Sequence, residues 1–174
     1  VAGDFEAIAS VTVGSGGAAT ITFSSIPSTY QHLQLRVLLR SDYLTGAGGY
    51  LELNGDTSSS YRNHILSGNG SAASATDWGA LTLGMGCGYD TGSSSTANTF
   101  AASVIDILDY ADTSKNTTVR MLSGKDTNGA GNVGVWSGLY VNTAAVNQIK
   151  FKFGGSAVWV QYSTAALYGI KGGA

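Results

Sequence analysis

The segment His32-Leu-Gln-Leu-Arg-Val-Leu-Leu-Arg-Ser41 places Leu33, Leu35, Val37 and Leu39 on one side of an extended chain and Gln34, Arg36 and Arg40 on the other. Successive side chains of a β-strand point to opposite faces, so this alternation predicts a half-buried strand with one core face and one wet face. The same period recurs on both sides of it. Upstream, Phe5, Ala7, Ala9, Val11 and Val13 alternate with Glu6, Ser10 and Thr12, with Ile8 out of step among the polar positions. Gly14 to Gly17 reads as a reversal and Ala18 to Phe23 as a returning strand, which predicts an opening hairpin. Pro27 marks Ser24 to Tyr30 as a connection, because proline removes a ladder donor.

Downstream, Leu51 and Leu53 alternate within Gly49 to Asn54, and Asn54-Gly-Asp56 is a tight-turn sequence. Further strands are predicted at Tyr61 to Leu66, Ala80 to Met85, Thr99 to Tyr110, Thr117 to Lys125, Asn132 to Val141, Val146 to Phe153 and Val158 to Ile170. Small, polar stretches at Ser67 to Ala75, Asp90 to Asn98, Asp126 to Gly131, Asn142 to Ala145 and Gly154-Gly155 separate them. The result is about ten strands with no helix, which predicts an all-β, antiparallel two-sheet β-sandwich in jelly-roll-like order. A single domain over residues 1–174 is expected.

Composition supports a sheet protein. Of the 174 residues, 25 are glycine, 43% are hydrophobic and only 11% are charged. The two glutamates and five lysines are too few for the solvent faces of helices. The β-formers among the apolar residues argue against disorder. With a net charge of −2 and nine scattered Lys and Arg residues, no basic footprint for nucleic acid is present. No apolar run approaches the roughly 18 residues of a membrane span, and the start lacks the basic and apolar regions of a signal peptide. The chain opens on Val1 instead of Met, which points to processing or trimming. A lone cysteine, Cys87, excludes an intrachain disulfide and a cysteine-based zinc cluster.

The residues that come nearest to catalytic patterns have structural readings. His32 and His64 lie on separate predicted strands without metal-ligand spacing, and there is no Gly-x-Ser-x-Gly elbow. Cys87, flanked by glycines, reads as a small buried apolar residue. Gly129-Ala-Gly131-Asn-Val-Gly134 has the letters of a dinucleotide fingerprint, but a strand follows it where that motif needs a helix, so it reads as a hairpin turn. Asp106 and Asp109 are three apart on a strand and face opposite ways, which argues against a glycosidase pair. No enzyme and no cofactor are expected.

Two binding candidates remain. Asp112, Ser114 and Asn116 alternate in an oxygen-rich loop and are placed to supply calcium ligands; the other reading is a turn in which Asp112 bonds its own backbone. Tyr43, Trp78 and Tyr89 lie in or beside turns, where their rings would stack on a sugar, whereas Trp136 and Trp159 read as core. Asn69-Gly-Ser71 and Asn116-Thr-Thr118 match the glycosylation sequon, without a secretory signal to give it meaning.

Blocks spanning nearly the whole chain carry a resemblance. They are Phe5-Glu-Ala-Ile8-Ala-Ser-Val-Thr-Val-Gly-Ser-Gly-Gly17, Ile21-Thr-Phe-Ser-Ser-Ile-Pro-Ser-Thr-Tyr30, His32-Leu-Gln-Leu-Arg36, Leu53-Asn-Gly-Asp56, Tyr61-Arg-Asn-His64, Val104-Ile-Asp-Ile-Leu-Asp-Tyr110 and Gln161-Tyr-Ser-Thr-Ala-Ala-Leu-Tyr-Gly-Ile-Lys171. Together they resemble small virion proteins of tailed phages, especially cyanophages and marine phages. The resemblance implies a structural protein of the particle, made in the host cytoplasm and residing in the virion. Its expected role is that of a capsid decoration or cement protein held by other virion proteins, above all the major capsid protein. The alternative it implies is the glycan-binding tip of a tail or head fibre, with a host surface glycan as partner. It also implies a homotrimer and no catalytic residues. Cyclic association would bury apolar residues on a second face. With the first strand opening at about Phe5, neither a fibre shaft nor an N-terminal attachment segment is expected ahead of it, which favours decoration.

Overall fold

A computed structural model describes residues 4–153 and 155–172. Val1 and Gly154, the first half of the expected Gly154-Gly155 turn, lie outside the described residues. Twelve strands form: β1 (Phe5–Thr12), β2 (Thr20–Phe23), β3 (His32–Leu39), β4 (Tyr50–Leu53), β5 (Tyr61–Gly68), β6 (Ala73–Leu81), β7 (Met85–Gly86), β8 (Ala101–Leu108), β9 (Thr117–Asp126), β10 (Gly131–Tyr140), β11 (Ile149–Lys152) and β12 (Thr164–Ile170). They make an eight-stranded sheet in the order β1-β12-β3-β8-β9-β10-β5-β6 and a four-stranded sheet in the order β2-β11-β4-β7. All pairings between these strands are antiparallel.

The strand order is that of a jelly roll. β1-β12-β3-β8 and β2-β11-β4-β7 are two four-stranded halves, and the consecutive pairs β1/β2, β3/β4, β7/β8 and β11/β12 each divide between them. Two inserted hairpins, β5–β6 and β9–β10, continue the first half beyond β8 and double its width. The opening strands therefore do not form the expected hairpin: β1 pairs with β12 and β2 with β11. Alternation assigns faces but carries no information about which strand lies alongside, and here the chain crosses between sheets at Gly14 to Gly17.

Other differences have local causes. A bulge between Ala7 and Ala9 changes the register of β1, which explains why Ile8 broke the alternation. The stretch Ser67 to Ala75, expected as one loop, instead contains the end of β5 and the start of β6. The strand expected at Ala80 to Met85 is interrupted at Gly84, whose φ of +121° breaks the extended run between β6 and β7. The last strand begins at Thr164, not Val158, after Tyr162 turns the chain at φ 70°.

One hydrophobic cluster joins the inner faces of both sheets. The reading of β3 holds: Leu33, Leu35, Val37 and Leu39 are buried. Each such side chain contributes about 1.5–3 kcal/mol by leaving water. Trp159 is fully buried against Phe151 and Phe153, donates from Nε1 to the Phe151 carbonyl at 3.3 Å, and bridges both Ala18 and Ser41.

Tyr61 and Tyr140, also fully buried, stack with ring centroids 5.1 Å apart. Burial, then a hydrogen bond to the Asp56 carboxylate, pushes the Tyr140 phenol up to about 12, and burial raises Tyr61 from the ordinary value of 10.0. The folded chain thus keeps protons that the unfolded chain releases near pH 10, so stability falls as pH rises. This contribution is complete below pH 10 and is lost on the way to about 12. The thermal midpoint should hold up to about pH 10 and drop beyond it, with a smaller drop in Tyr140→Phe. A midpoint unchanged into that alkaline range would contradict this account.

Candidate binding surfaces

The outer face of the eight-stranded sheet is built from the strand positions left over once the core is filled. Register pairing sets residues side by side across the strands. One row runs Arg36, Val104, Leu122, Val135, Leu66 and Ala75. On one side lies Leu38, Ala102, Gly124 and Val133. On the other lies a polar row of Gln34, Asp106, Arg120, Ser137, His64 and Asp77. Leu122 is 56% and Val133 58% exposed, and Leu38, Leu66, Val104 and Val135 are exposed as well. Two open grooves of about 850 and 550 Å³ run over these rows. A single exposed leucine is ordinary, but a contiguous apolar patch with a polar margin is the mark of a contact surface.

The opposite outer face, that of the four-stranded sheet, is polar. Thr22, Lys150 and Glu52 stand in one row, with Thr20, Lys152 and Tyr50 beside it. Glu52 is 1% exposed and accepts from Lys150 Nζ at 2.8 Å and from Lys152. Burial alone would raise its carboxyl, but the two ammonium hydrogen bonds hold it below the usual range.

A second feature lies at the inner side of the inserted hairpins. Trp136 of β10, Trp78 of β6 and Tyr89, just beyond β7, wall a pocket of about 180 Å³ with Ser67 and Thr76. Tyr89 meets Trp136 edge to face at 5.0 Å, and Lys125 Nζ sits 5.8 Å from the Tyr89 ring centre. The Trp78 ring lies directly over Gly86, where an added Cβ would fall 2.1 Å from it. Gly86 is fixed from beneath by Asn63 of β5, whose amide donates to the Gly86 carbonyl at 3.1 Å and accepts from its N–H at 3.0 Å. Trp136 is 4% exposed and its Nε1–H has no hydrogen-bond partner among the described residues.

Of the three loop aromatics singled out in the sequence, the structure brings Trp78 and Tyr89 to this pocket and leaves Tyr43 outside it, 6.4 Å from Phe153. Trp136 is buried as expected, but it is also the pocket wall; its role was hidden because the sequence shows burial and not what the ring's edge meets. At the Asp112 loop, Asp112 accepts from the Ser114 backbone and hydroxyl at 2.8 and 2.5 Å, which is the turn reading. Those bonds hold its carboxyl down at about 2. Lys115 Nζ lies 3.3 Å from Asp112 and 2.6 Å from Asp109, so an ammonium already occupies the cation position. Asn116 is exposed.

Among the described residues, no group of three or more His, Cys, Asp or Glu side chains is gathered to hold a metal. His32 accepts from the Asp109 backbone N–H at 2.9 Å, while His64 faces Asp77 at 3.8 Å on the open sheet face. Cys87 is buried, and burial followed by the charge of Asp90 holds its thiol well above the usual range, in the protonated form. Gly129 to Gly134 is the β9–β10 hairpin. Comparison of the chain with protein-family models, curated proteins and solved structures gives no match.

Proposed function

We propose that the protein is a structural component of a bacteriophage particle, a decoration or cement protein that binds the major capsid protein and acts as a homotrimer. The observation that carries this reading is the apolar outer face of the wide sheet. Val104, Leu122, Val135 and Leu66 form an unbroken band across four strands, while the outer face of the other sheet is polar, with Thr20 and Thr22 exposed beside the lysines that cover Glu52. Such asymmetry suits a protein that works by covering one face. Association removes the apolar band from water, and the polar row sets the register of the partner. Jelly rolls recur in viral shells, which is a likeness of fold and supports the role only by analogy.

Leu122→Asp combined with Val135→Lys puts charge in the middle of the band at two exposed positions that face each other across β9 and β10, where the opposite charges pair and folding changes by about 1 kcal/mol or less. Binding to particles stripped of the protein should weaken at least about a hundredfold, with the melting curve retained. Unchanged binding would overturn the assignment of this face. Image reconstruction of the particle tests the role: density on the shell is expected. Density only at fibre ends favours the second reading, a glycan-binding tip domain, which draws on the aromatic pocket instead of the sheet face. Sedimentation equilibrium at three chain masses is the expected result for the trimer, and a persistent monomer would exclude it.

A further inference from the structure

We infer that the pocket between Trp78, Tyr89 and Trp136 is a subsite for one neutral pyranose unit of a saccharide. The pocket would serve a chain on the shell and a chain at a fibre tip alike. Its volume of about 180 Å³ equals roughly six waters at about 30 Å³ each, the space of a single sugar ring and too little for a folded peptide segment. Its walls carry two kinds of group. The aromatic faces match the apolar C–H face that a pyranose presents, and the Ser67 and Thr76 hydroxyls match its rim of hydroxyl groups.

The Trp136 indole N–H is closed off from solvent and has no partner among the described residues, so this side chain offers the pocket ring surface and not a donor.

An aromatic enclosure also suits a quaternary ammonium ion, but two observations disfavour it. Lys125 already places a positive charge 5.8 Å from the Tyr89 ring centre, and no carboxylate lines the pocket. No cationic side chain is among the lining residues, so the carboxylate of an acidic sugar would find no ion pair inside the pocket, and a neutral sugar is favoured.

The experiment is a titration of the intact ¹⁵N-labelled protein with glucose, galactose, mannose and N-acetylglucosamine, each to about 100 mM, watching the indole N–H resonances. At least one sugar should shift the Trp136 resonance saturably with a dissociation constant of about 1–10 mM. Trp78→Ala, at a 40% exposed position on the edge strand, should weaken that binding about tenfold or more while retaining the fold. Three results would overturn the inference: no saturable shift with any of the four sugars, a shift undiminished in Trp78→Ala, or saturation by tetramethylammonium in place of sugar.

Discussion

Asn63→Ala should lower stability by about 2–5 kcal/mol, because it leaves two buried backbone groups unpaired at about 1–3 kcal/mol each. Asn63 is 0% exposed and bonds both the N–H and the carbonyl of Gly86. β7 is only two residues long and has a ladder partner, β4, on one side. On its other side the Asn63 amide imitates a neighbouring strand, donating and accepting as a peptide unit would. The side chain thereby ties the wide sheet to the edge of the narrow one. Urea unfolding should show a lower midpoint with an unchanged slope. The substitution should also disorder the pocket, since Gly86 carries the Trp78 ring, so quenching of tryptophan fluorescence by acrylamide should increase even under native conditions. A loss below about 0.5 kcal/mol would mean that water replaces the amide and that the sheets are not joined here.

How much of this could be read from the sequence follows from what alternation encodes. The buried run of Leu33, Leu35, Val37 and Leu39 was legible because one parity of a strand is apolar and the other is not. The same parity rule marks Ala102 and Val104, Leu122 and Gly124, Val133 and Val135, and Leu66 as outward residues that are nonetheless apolar or small. The apolar outer face was therefore present in the sequence as a second apolar parity, but its assembly into one band depends on which strands are neighbours. β5 lies beside β10, about seventy positions away in the chain, and nothing local specifies that pairing. β6 is legible in the sequence only at its Ala80-Leu81 end, for a different reason. It is a poorly buried edge strand, so no hydrophobic period exists to reveal it. The pocket inherits both difficulties, since its three aromatic walls come from β6, β10 and the segment after β7.

The ion cluster on the narrow sheet gives the second large effect. Replacing both lysines, Lys150→Met with Lys152→Met, should cost about 3–5 kcal/mol near neutral pH, because it strands the Glu52 carboxylate where water reaches only 1% of the residue. The pH dependence should change sign as well as size. In the native chain the two ammonium groups hold the Glu52 carboxyl below its ordinary 4.5, so the folded state binds fewer protons than the unfolded one through that range. Its contribution is present above pH 4.5 and is lost as pH falls through the depressed value. Without the lysines only burial remains, and it raises the carboxyl above 4.5. The variant would then take up a proton on folding, and would regain stability on acidification from neutral pH toward about 5 where the native chain gains none. Removing Glu52 instead is the milder change. Lys150 is 30% and Lys152 17% exposed by side chain, so both ammonium groups can reach water when their acceptor is gone. Glu52→Gln should therefore lose less than the double lysine variant and show no acid recovery. Equal losses in the two, with parallel pH profiles, would mean that the buried carboxylate is not the group whose desolvation the lysines offset.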